Sequence, residues 1–141
     1  MNVRARVKAL IKKYRTRDPF EMIQGMNAIL VYYPLDDGVR GFYQYYKRNN
    51  ISYIDERLSQ HDRAFVLAHE IGHMTMHRSA NAIFMDTRTQ FNTRKYEMQA
   101  NKFAVELLIP DEIFLDNRQF TEAQLARLTG YSEELIRLRL Q

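Results

Sequence analysis

Residues 69–73 read His-Glu-Ile-Gly-His, and this short stretch decides how the rest of the chain is interpreted. On an α-helix, a four-residue step turns only about 40° and rises about 6 Å, so the imidazoles of His69 and His73 lie on one face. Two imidazoles in this arrangement can occupy two of the four positions around a zinc ion. Glu70 then lies beside the position that stays open, where hydrolysis needs a general base. The stretch therefore predicts a helix that carries part of a catalytic zinc site.

The residues around the motif favour a helix. Residues 63–68 are helix formers with an apolar side, and Ser59 can cap the helix, with Asp62 three residues later as an approximate capping box. Gly72, inside the helix, costs about 1 kcal/mol relative to alanine. Because Gly72 has no side chain, we expect a neighbouring segment to approach the metal closely at this point.

The four histidines of the chain fall at positions 61, 69, 73 and 77, so a second metal-binding register has to be considered. His73 and His77 are also four residues apart, but the base position in that register is Met74, which cannot take a proton. The pair formed by His69 and His73 is therefore preferred. We interpret His77 as a residue that supports a ligand or lies at the helix C-terminus, where partial positive charge is favourable. His61 is interpreted as a surface residue.

A catalytic zinc needs a third protein ligand, and the best candidate lies in residues 96–110. The apolar residues of this segment recur at helical spacing and predict a buried stripe, formed by Tyr96, Ala100, Phe103, Ala104 and Leu107. Glu97 and Asn101 are one turn apart at the edge of the stripe, so both can face the motif helix. Glu97 can ligate zinc, and Asn101 can accept a hydrogen bond from the second nitrogen of a ligand imidazole. From spacing alone, a solvated helix carboxylate explains Glu97 equally well.

Two blocks of the sequence together resemble the ImmA/IrrE metallopeptidases. Residues 63–77, R-A-F-V-L-A-H-E-I-G-H-M-T-M-H, are similar to that family's R-x-F-T-L-A-H-E-L-G-H-x-x-x-H. Residues 97–110, E-M-Q-A-N-K-F-A-V-E-L-L-I-P, are similar to its E-x-x-A-N-x-F-A-x-E-L-L-M-P segment. The departures are Val66 in place of Thr and Ile109 in place of Met. The likeness extends over residues 18–140, most of the chain.

The resemblance implies a small zincin-like metallopeptidase. Its Zn²⁺ would be bound by His69, His73 and Glu97, with Glu70 as the general base. Such peptidases are found beside helix-turn-helix repressors in phages, integrative elements and stress regulons, and they cut the repressor at one site. The resemblance thus implies a protein substrate, a nearby helix-turn-helix repressor, whose cleavage relieves transcriptional repression. This chain is shorter than the relatives that carry a sensory domain after the peptidase.

Composition agrees with a single compact domain inside the cell. A chain of 141 residues is long enough for one hydrophobic core. It contains no cysteine, which excludes both a disulfide framework and a thiolate metal site. No apolar run approaches the roughly 20 residues that span a bilayer, and the basic N-terminus lacks the apolar segment of a secretory signal. We therefore expect a cytoplasmic protein without a membrane partner.

The remaining patterns predict an α+β fold. Apolar residues at positions 3, 7, 10, 11 and 14 predict an amphipathic first helix within the basic segment 1–17. Asp18, Pro19 and Glu21 predict the start of a second helix through a capping box. We expect three strands that form a short antiparallel sheet packed on helices, at 27–33, 41–46 and 51–54. A variable loop is predicted at 78–92, between the motif helix and the helix of Glu97.

The chain is predicted to be one domain with three parts: the basic amphipathic helix (1–17), a zincin-like core (18–116) and a C-terminal helical hairpin (117–141). In the hairpin, Ala126, Gly130 and Ile136 have the spacing of a helix-turn-helix. Thr121 and Ser132 are predicted to cap its two helices.

Two features favour a rival function, a DNA-binding or protein-interaction regulator with a degenerate or non-proteolytic metal site. The first 20 residues carry seven Lys/Arg against one Asp, and a basic amphipathic helix can bind nucleic acid or an acidic partner. The second feature is the helix-turn-helix-like hairpin. However, the N-terminal residues of its second helix, which should meet the duplex, are Glu133 and Glu134, and phosphates repel carboxylates. We therefore expect the hairpin to serve packing or substrate docking, and we expect no specific nucleic-acid partner.

Overall fold

The computed structural model describes residues 2–77 and 90–141, and the side chains of all of these except 90–93. The described residues form seven helices and three strands. The helices are α1 (Val3–Tyr14), α2 (Pro19–Gly25), α3 (Gln60–Met76), α4 (Gln90–Leu108), α5 (Asp111–Leu115), α6 (Glu122–Thr129) and α7 (Glu133–Leu140). The strands are β1 (Ile29–Tyr33), β2 (Gly41–Tyr46) and β3 (Asn49–Asp55). The predicted α+β class is confirmed. The loop predicted at 78–92 lies outside the described residues, except for its last three, which belong to α4.

The three strands form one sheet in the order β1-β3-β2. Strands β2 and β3 pair antiparallel, as predicted, but β1 pairs parallel to β3, with Ile29 opposite Ile51. The expectation of an antiparallel sheet was therefore wrong for β1. The physical reason is that β1 pairs with β3 and not with β2, the strand that follows β1 in the chain. Tyr33 at the end of β1 lies opposite Asp55, and Gly41 at the start of β2 lies opposite Ile54, so the chain leaves β1 and enters β2 at the same end of β3.

The start of α2 is capped differently from the prediction. Asp18 is the N-cap, and its Oδ1 accepts from the backbone N–H of Phe20 at 2.9 Å. The predicted capping box with Glu21 is wrong. The hydroxyl of Thr16 accepts from the backbone N–H of Asp18 at 3.0 Å and donates to Glu21 Oε1 at 2.7 Å. Thr16 thus takes the backbone N–H that a capping box would have assigned to Glu21.

The main core lies between the inner face of the sheet and helices α1 to α4. On the sheet, Tyr43 and Ile54 point into this core, as the alternation of a half-buried strand requires. The stripe predicted on α4 is confirmed for four of its five members, which are fully buried: Ala100, Phe103, Ala104 and Leu107. Tyr96, the fifth, is half-buried. The burial of this stripe against α3 fixes the relative position of α3 and α4, the two helices that carry the motif residues.

A second, smaller core joins the C-terminal hairpin to α4. It is formed by Val105, Ile109, Leu125 and Ile136. The predicted caps are confirmed: Thr121 forms a capping box with Gln124, and Ser132 caps α7. Gly130 ends α6 with φ of 81°, in the left-handed region that favours glycine.

The hairpin also contacts the first turn of α3. His61 is exposed, as predicted, but its Nε2 lies 3.2 Å from the carbonyl oxygen of Gly130. Its ring stacks on Tyr131 with centroids 4.5 Å apart. The turn of the hairpin is thereby held against the N-terminal part of the motif helix.

Part of the basic charge of the N-terminal segment is used inside the molecule. Arg4 forms ion pairs with Asp111 at 2.8 Å and with Glu106 at 3.4 Å. Arg17 donates to the backbone carbonyls of Glu106 and Leu107, each at 3.1 Å. These contacts fix α1 and the segment after it to the C-terminal end of α4 and the start of α5. None of the helices in the described part of the chain is long and apolar enough to cross a membrane.

Candidate metal centre

Helix α3 carries the His-Glu-Ile-Gly-His motif near its C-terminal end. The predicted cap of this helix is confirmed, with the Ser59 hydroxyl accepting from the backbone N–H of Asp62 at 3.2 Å. The predicted capping box is not formed, and the Asp62 carboxylate instead lies 3.5 Å from Arg40. His69 and His73 share one face, and their Nε2 atoms are 3.2 Å apart. Both imidazoles are largely buried, with side-chain exposures of 13% and 9%.

Helix α4 brings Glu97 to the same point. Its Oε2 lies 2.9 Å from His69 Nε2, and its Oε1 lies 2.9 Å from His73 Nε2. The donor atoms of His69, His73 and Glu97 all lie within 4.8 Å of one another. The structure therefore brings together the three side chains that the sequence and the family resemblance suggested as ligands. A group of this composition could bind a metal ion.

The close approach of α4 depends on Gly72. A β-carbon added there would lie 3.1 Å from both Cβ and Cγ of Phe103, tighter than ordinary van der Waals contact. The neighbouring segment expected at Gly72 is therefore α4. Phe103 lies six residues after Glu97 on α4, so this contact helps to set how closely the carboxylate approaches the two imidazoles.

The residue types of the three donors suit zinc. Zinc bonds of about 2.0–2.1 Å in a tetrahedral arrangement place neighbouring ligand atoms about 3.3 Å apart. Here the two Nε2 atoms are 3.2 Å apart, and each lies 2.9 Å from a different oxygen of the Glu97 carboxylate. With one ligand atom from each residue, the three atoms lie within 4.8 Å of one another. Two imidazoles with one carboxylate, and a fourth position left open, form the donor set of many catalytic zinc sites.

Each imidazole has a polar partner on its other nitrogen. His69 Nδ1 lies 2.8 Å from Asn101 Oδ1, the contact that the sequence predicted. His73 Nδ1 lies 2.9 Å from His77 Nδ1, so His77 contacts a candidate ligand from behind. His77 is also the residue that ends α3. Both sequence interpretations of His77 thus describe its position.

One polar residue of the site was missed by sequence analysis. Gln99 Oε1 lies 2.7 Å from His77 Nε2. His77 is 2% exposed, and its ring packs against Tyr96 with centroids 4.4 Å apart. Because the two ring nitrogens of His77 face His73 and Gln99, this histidine is not placed to donate to a substrate. Gln99 gave no signal in the sequence, since its contact arises only when α3 and α4 pack together.

Glu70 is buried beside the three donors. Its exposed fraction is 4%, and burial raises the pKa of its carboxyl group, an effect that the nearby imidazoles of His69 and His73 only partly offset. The first residue of β2 lies close by, because a β-carbon added to Gly41 would be 3.8 Å from Glu70 Oε1. The same added atom would be 2.8 Å from the carbonyl oxygen of Tyr53, so only glycine fits there. The start of β2 thus approaches the general-base candidate.

The electrostatics of the remaining groups reflect burial and mutual contact. Burial raises the pKa of Glu97, but its hydrogen bonds with His69 and His73 outweigh this and hold that pKa below its usual range. Burial lowers the pKa of His69, yet the hydrogen bond to Glu97 and the charge of Glu70 leave it above its ordinary value. For His77, burial dominates and lowers the pKa. These contacts favour an ionised Glu97 carboxylate opposite the imidazoles of His69 and His73. A metal cation would replace the hydrogen bonds between them.

Aromatic side chains line one side of the centre. Phe65 precedes His69 by one helical turn, and their ring centroids are 6.3 Å apart. Tyr131, from the turn of the hairpin, lies 5.9 Å from Phe65. The C-terminal hairpin is therefore close to the site as well as part of the packing.

Comparison with known proteins agrees with this architecture. The family described as the IrrE N-terminal-like domain matches residues 28–141. The chain is 42% identical over 139 residues to the protein named "Uncharacterized immunity region protein 2" of Bacillus phage phi105, covering 97% of this chain and 88% of the relative. It is 29% identical over 136 residues to the "Metallopeptidase ImmA" of Bacillus subtilis (strain 168), covering 95% of this chain and 75% of the relative.

The fold and the comparisons define a metallopeptidase-like domain. The chain belongs to the ImmA/IrrE family, and the resemblance seen in its sequence is confirmed.

Proposed function

We propose that this protein is a zinc-dependent metalloendopeptidase that cuts a helix-turn-helix transcriptional repressor encoded nearby, at one site, and so relieves repression. The observation that carries the proposal is the convergence of His69, His73 and Glu97, from two different helices, beside the buried Glu70. Two imidazoles, one carboxylate and an adjacent general base are the parts that hydrolysis of a peptide bond at zinc requires.

In this proposal, His69, His73 and Glu97 hold the zinc ion. When bound, zinc supplies Lewis-acid polarisation of the scissile carbonyl and lowers the pKa of a water molecule. Asn101 accepts from Nδ1 of His69 and thereby leaves Nε2 of that imidazole free to bind the ion. The carboxylate is already ionised, because the pKa of Glu97 lies below its usual range.

Glu70 moves the protons of the reaction. Its carboxylate removes a proton from the water molecule as the water oxygen bonds to the scissile carbonyl carbon. When the carbon–nitrogen bond breaks, Glu70 delivers that proton to the leaving amine. Burial raises the pKa of Glu70, which brings it closer to neutral pH, where a group can both accept and return a proton.

The substrate would reach Glu70 along the sheet. Strand β2 is at the edge of the sheet, and its first residue, Gly41, lies near the Glu70 carboxyl group. An extended segment of the repressor can add to such an edge as a further strand, through backbone hydrogen bonds. The aromatic pair Phe65 and Tyr131 would then contact side chains on the other side of the centre.

The choice of a repressor as substrate is supported by the family resemblance and by the names of two relatives. One relative is named as a metallopeptidase, and the other as a protein of a phage immunity region. We place the reaction in the cytoplasm, where such a repressor acts.

The test is cleavage of the helix-turn-helix protein encoded beside this gene. Wild-type protein with zinc should cut it at one bond, as seen by gel electrophoresis and mass spectrometry. The Glu70→Gln variant should keep the fold and the zinc but lose cleavage by at least about 100-fold, the usual contribution of a general base. Equal cleavage by the two proteins would refute the mechanism, and the absence of cleavage by zinc-loaded wild type would refute the substrate.

A further inference from the structure

We infer that Gln99 is a positioning residue, which acts through His77 to fix the tautomer of His73 that can bind the metal. This inference rests on the proposed zinc site and assigns a role to a residue that contacts neither the ion nor a substrate.

The inference starts from an unbroken chain of hydrogen bonds. Gln99 Oε1 lies 2.7 Å from His77 Nε2, and His77 Nδ1 lies 2.9 Å from His73 Nδ1. The other ring nitrogen of His73, Nε2, faces the candidate metal position beside Glu97. The two histidines are buried, so water has little access to replace a lost contact.

Counting protons along this chain leaves one arrangement that suits a metal. A neutral imidazole carries one N–H and one lone pair. If His73 gives the lone pair of Nε2 to the metal, its proton is on Nδ1 and must be accepted by Nδ1 of His77. The proton of His77 is then on Nε2, and Gln99 must accept it with its carbonyl oxygen. The observed contact of Oε1 with His77 Nε2 is the one that this sequence of donors requires.

The reverse arrangement would block the metal position. If Gln99 presented an N–H to His77, the histidine would accept it at Nε2 and would carry its own proton on Nδ1. That proton would be donated to Nδ1 of His73, whose remaining proton would then occupy Nε2. The orientation of the Gln99 amide therefore decides whether His73 can be a ligand, although His77 lies between these two residues in the hydrogen-bond chain.

Helix α4 thus supplies acceptors for both ligand imidazoles as well as the third ligand. Asn101 accepts directly from His69, whereas Gln99 reaches His73 only through His77. Glu97, Gln99 and Asn101 lie within five consecutive residues. Displacing this one segment would therefore change the position of the Glu97 carboxylate and the tautomers of His69 and His73 together.

Two substitutions separate this role from simple packing. Gln99→Met has a similar length but no acceptor, and it should weaken zinc binding by about 10- to 100-fold, as is usual when a partner of a metal ligand is lost. Gln99→Glu replaces the amide oxygen with a carboxylate oxygen, which is also an acceptor, and should bind zinc within a few-fold of wild type at pH 8. Gln24→Met, on the exposed side of α2, is the matched control and should bind as wild type does. Zinc affinity is measured by competition with a chromophoric chelator.

A spectroscopic measurement tests the tautomer itself. Long-range proton–nitrogen correlation of the imidazoles in zinc-loaded wild type should show His77 with its proton on Nε2 and His73 with its proton on Nδ1. The opposite tautomer of His77 would overturn the inference, and this measurement decides even if Gln99→Met fails to fold. Unchanged zinc affinity in Gln99→Met, or an equal loss in Gln99→Glu, would also overturn it. If wild type bound no zinc at all, the proposed function itself would fail.

Discussion

Gly72 and Phe103 are in contact at the point where the motif helix crosses α4: a β-carbon on Gly72 would lie 3.1 Å from the β-carbon of Phe103. Phe103 is fully buried, so it has little room to move away. The missing side chain at position 72 therefore allows α4 to lie close enough for Glu97 to reach the two imidazoles.

Gly72→Ala should lower both the melting temperature and the affinity for zinc. Alanine is favoured over glycine in a helix by about 1 kcal/mol, so helix propensity alone predicts a gain in stability. We expect the steric conflict with Phe103 to outweigh this gain, because overpacking a core costs roughly 1–3 kcal/mol. Thermal unfolding followed by circular dichroism, with chelator and with zinc, measures both effects. A higher melting temperature with unchanged zinc binding would show that the contact does not limit the approach of α4.

Asp111 should make the stability of the protein depend on pH in acid. Hydrogen bonds from Arg139 and Arg4 lower the pKa of Asp111 to about 2, against an ordinary value of 3.8. Since the folded pKa lies below the unfolded one, the stabilisation is present above pH 3.8 and is lost as the pH falls towards 2. Asp111→Asn should be less stable at neutral pH and should show a smaller loss between pH 5 and 2. Urea unfolding of the metal-free protein checks this, with Asp36→Asn, at an exposed position, as control. An identical pH dependence in Asp111→Asn and wild type would refute the assignment.

The protein should bind DNA only weakly and through its N-terminal helix. Lys8, Lys12 and Lys13 are exposed, whereas Arg4 is engaged in ion pairs. On the C-terminal hairpin, Arg139 is 4% exposed and donates to the backbone carbonyl of Ile109 at 2.8 Å, so it cannot reach a duplex. Replacing the three lysines with glutamine should abolish the residual binding and leave cleavage intact.

Fluorescence anisotropy with duplex DNA at two salt concentrations tests this expectation. The residual affinity should fall steeply with salt, as contacts to phosphate alone require. Arg137→Gln, on the exposed side of α7, is the control and should change little. Tight, sequence-selective binding that depends on residues 132–139 would instead favour a DNA-binding regulator.

The sequence predicted the parts of this molecule that depend on local spacing. The shared face of His69 and His73 follows from a helical period, and the buried stripe on α4 follows from the same rule. Ser59 and Thr121 show that capping signals are similarly local. The capping rule failed at the start of α2, because the hydroxyl of Thr16, and not the predicted Glu21, accepts from the backbone N–H of Asp18.

Features that depend on packing between distant segments were not predicted. The parallel pairing of β1 arises because β1 pairs with β3 and not with β2, and the chain enters β2 at the end of the sheet where β1 ends. The contact of Gln99 with His77 exists only because α4 packs against the end of α3. The ion pairs of the buried Arg139 with the buried Glu106 and the partly exposed Asp111 likewise join segments about 30 residues apart, and charge spacing along the chain gave no sign of them.

We propose that α3 and α4 together hold one zinc ion. Metal analysis after desalting tests this proposal most directly. Wild type should retain close to one zinc per chain, and His69→Ala, His73→Ala and Glu97→Ala should each lose most of it. His61→Ala, which changes an imidazole outside the group of donors, should retain zinc as wild type does. Full retention of zinc by the Glu97→Ala protein would contradict the account, because the third ligand would then have to come from elsewhere.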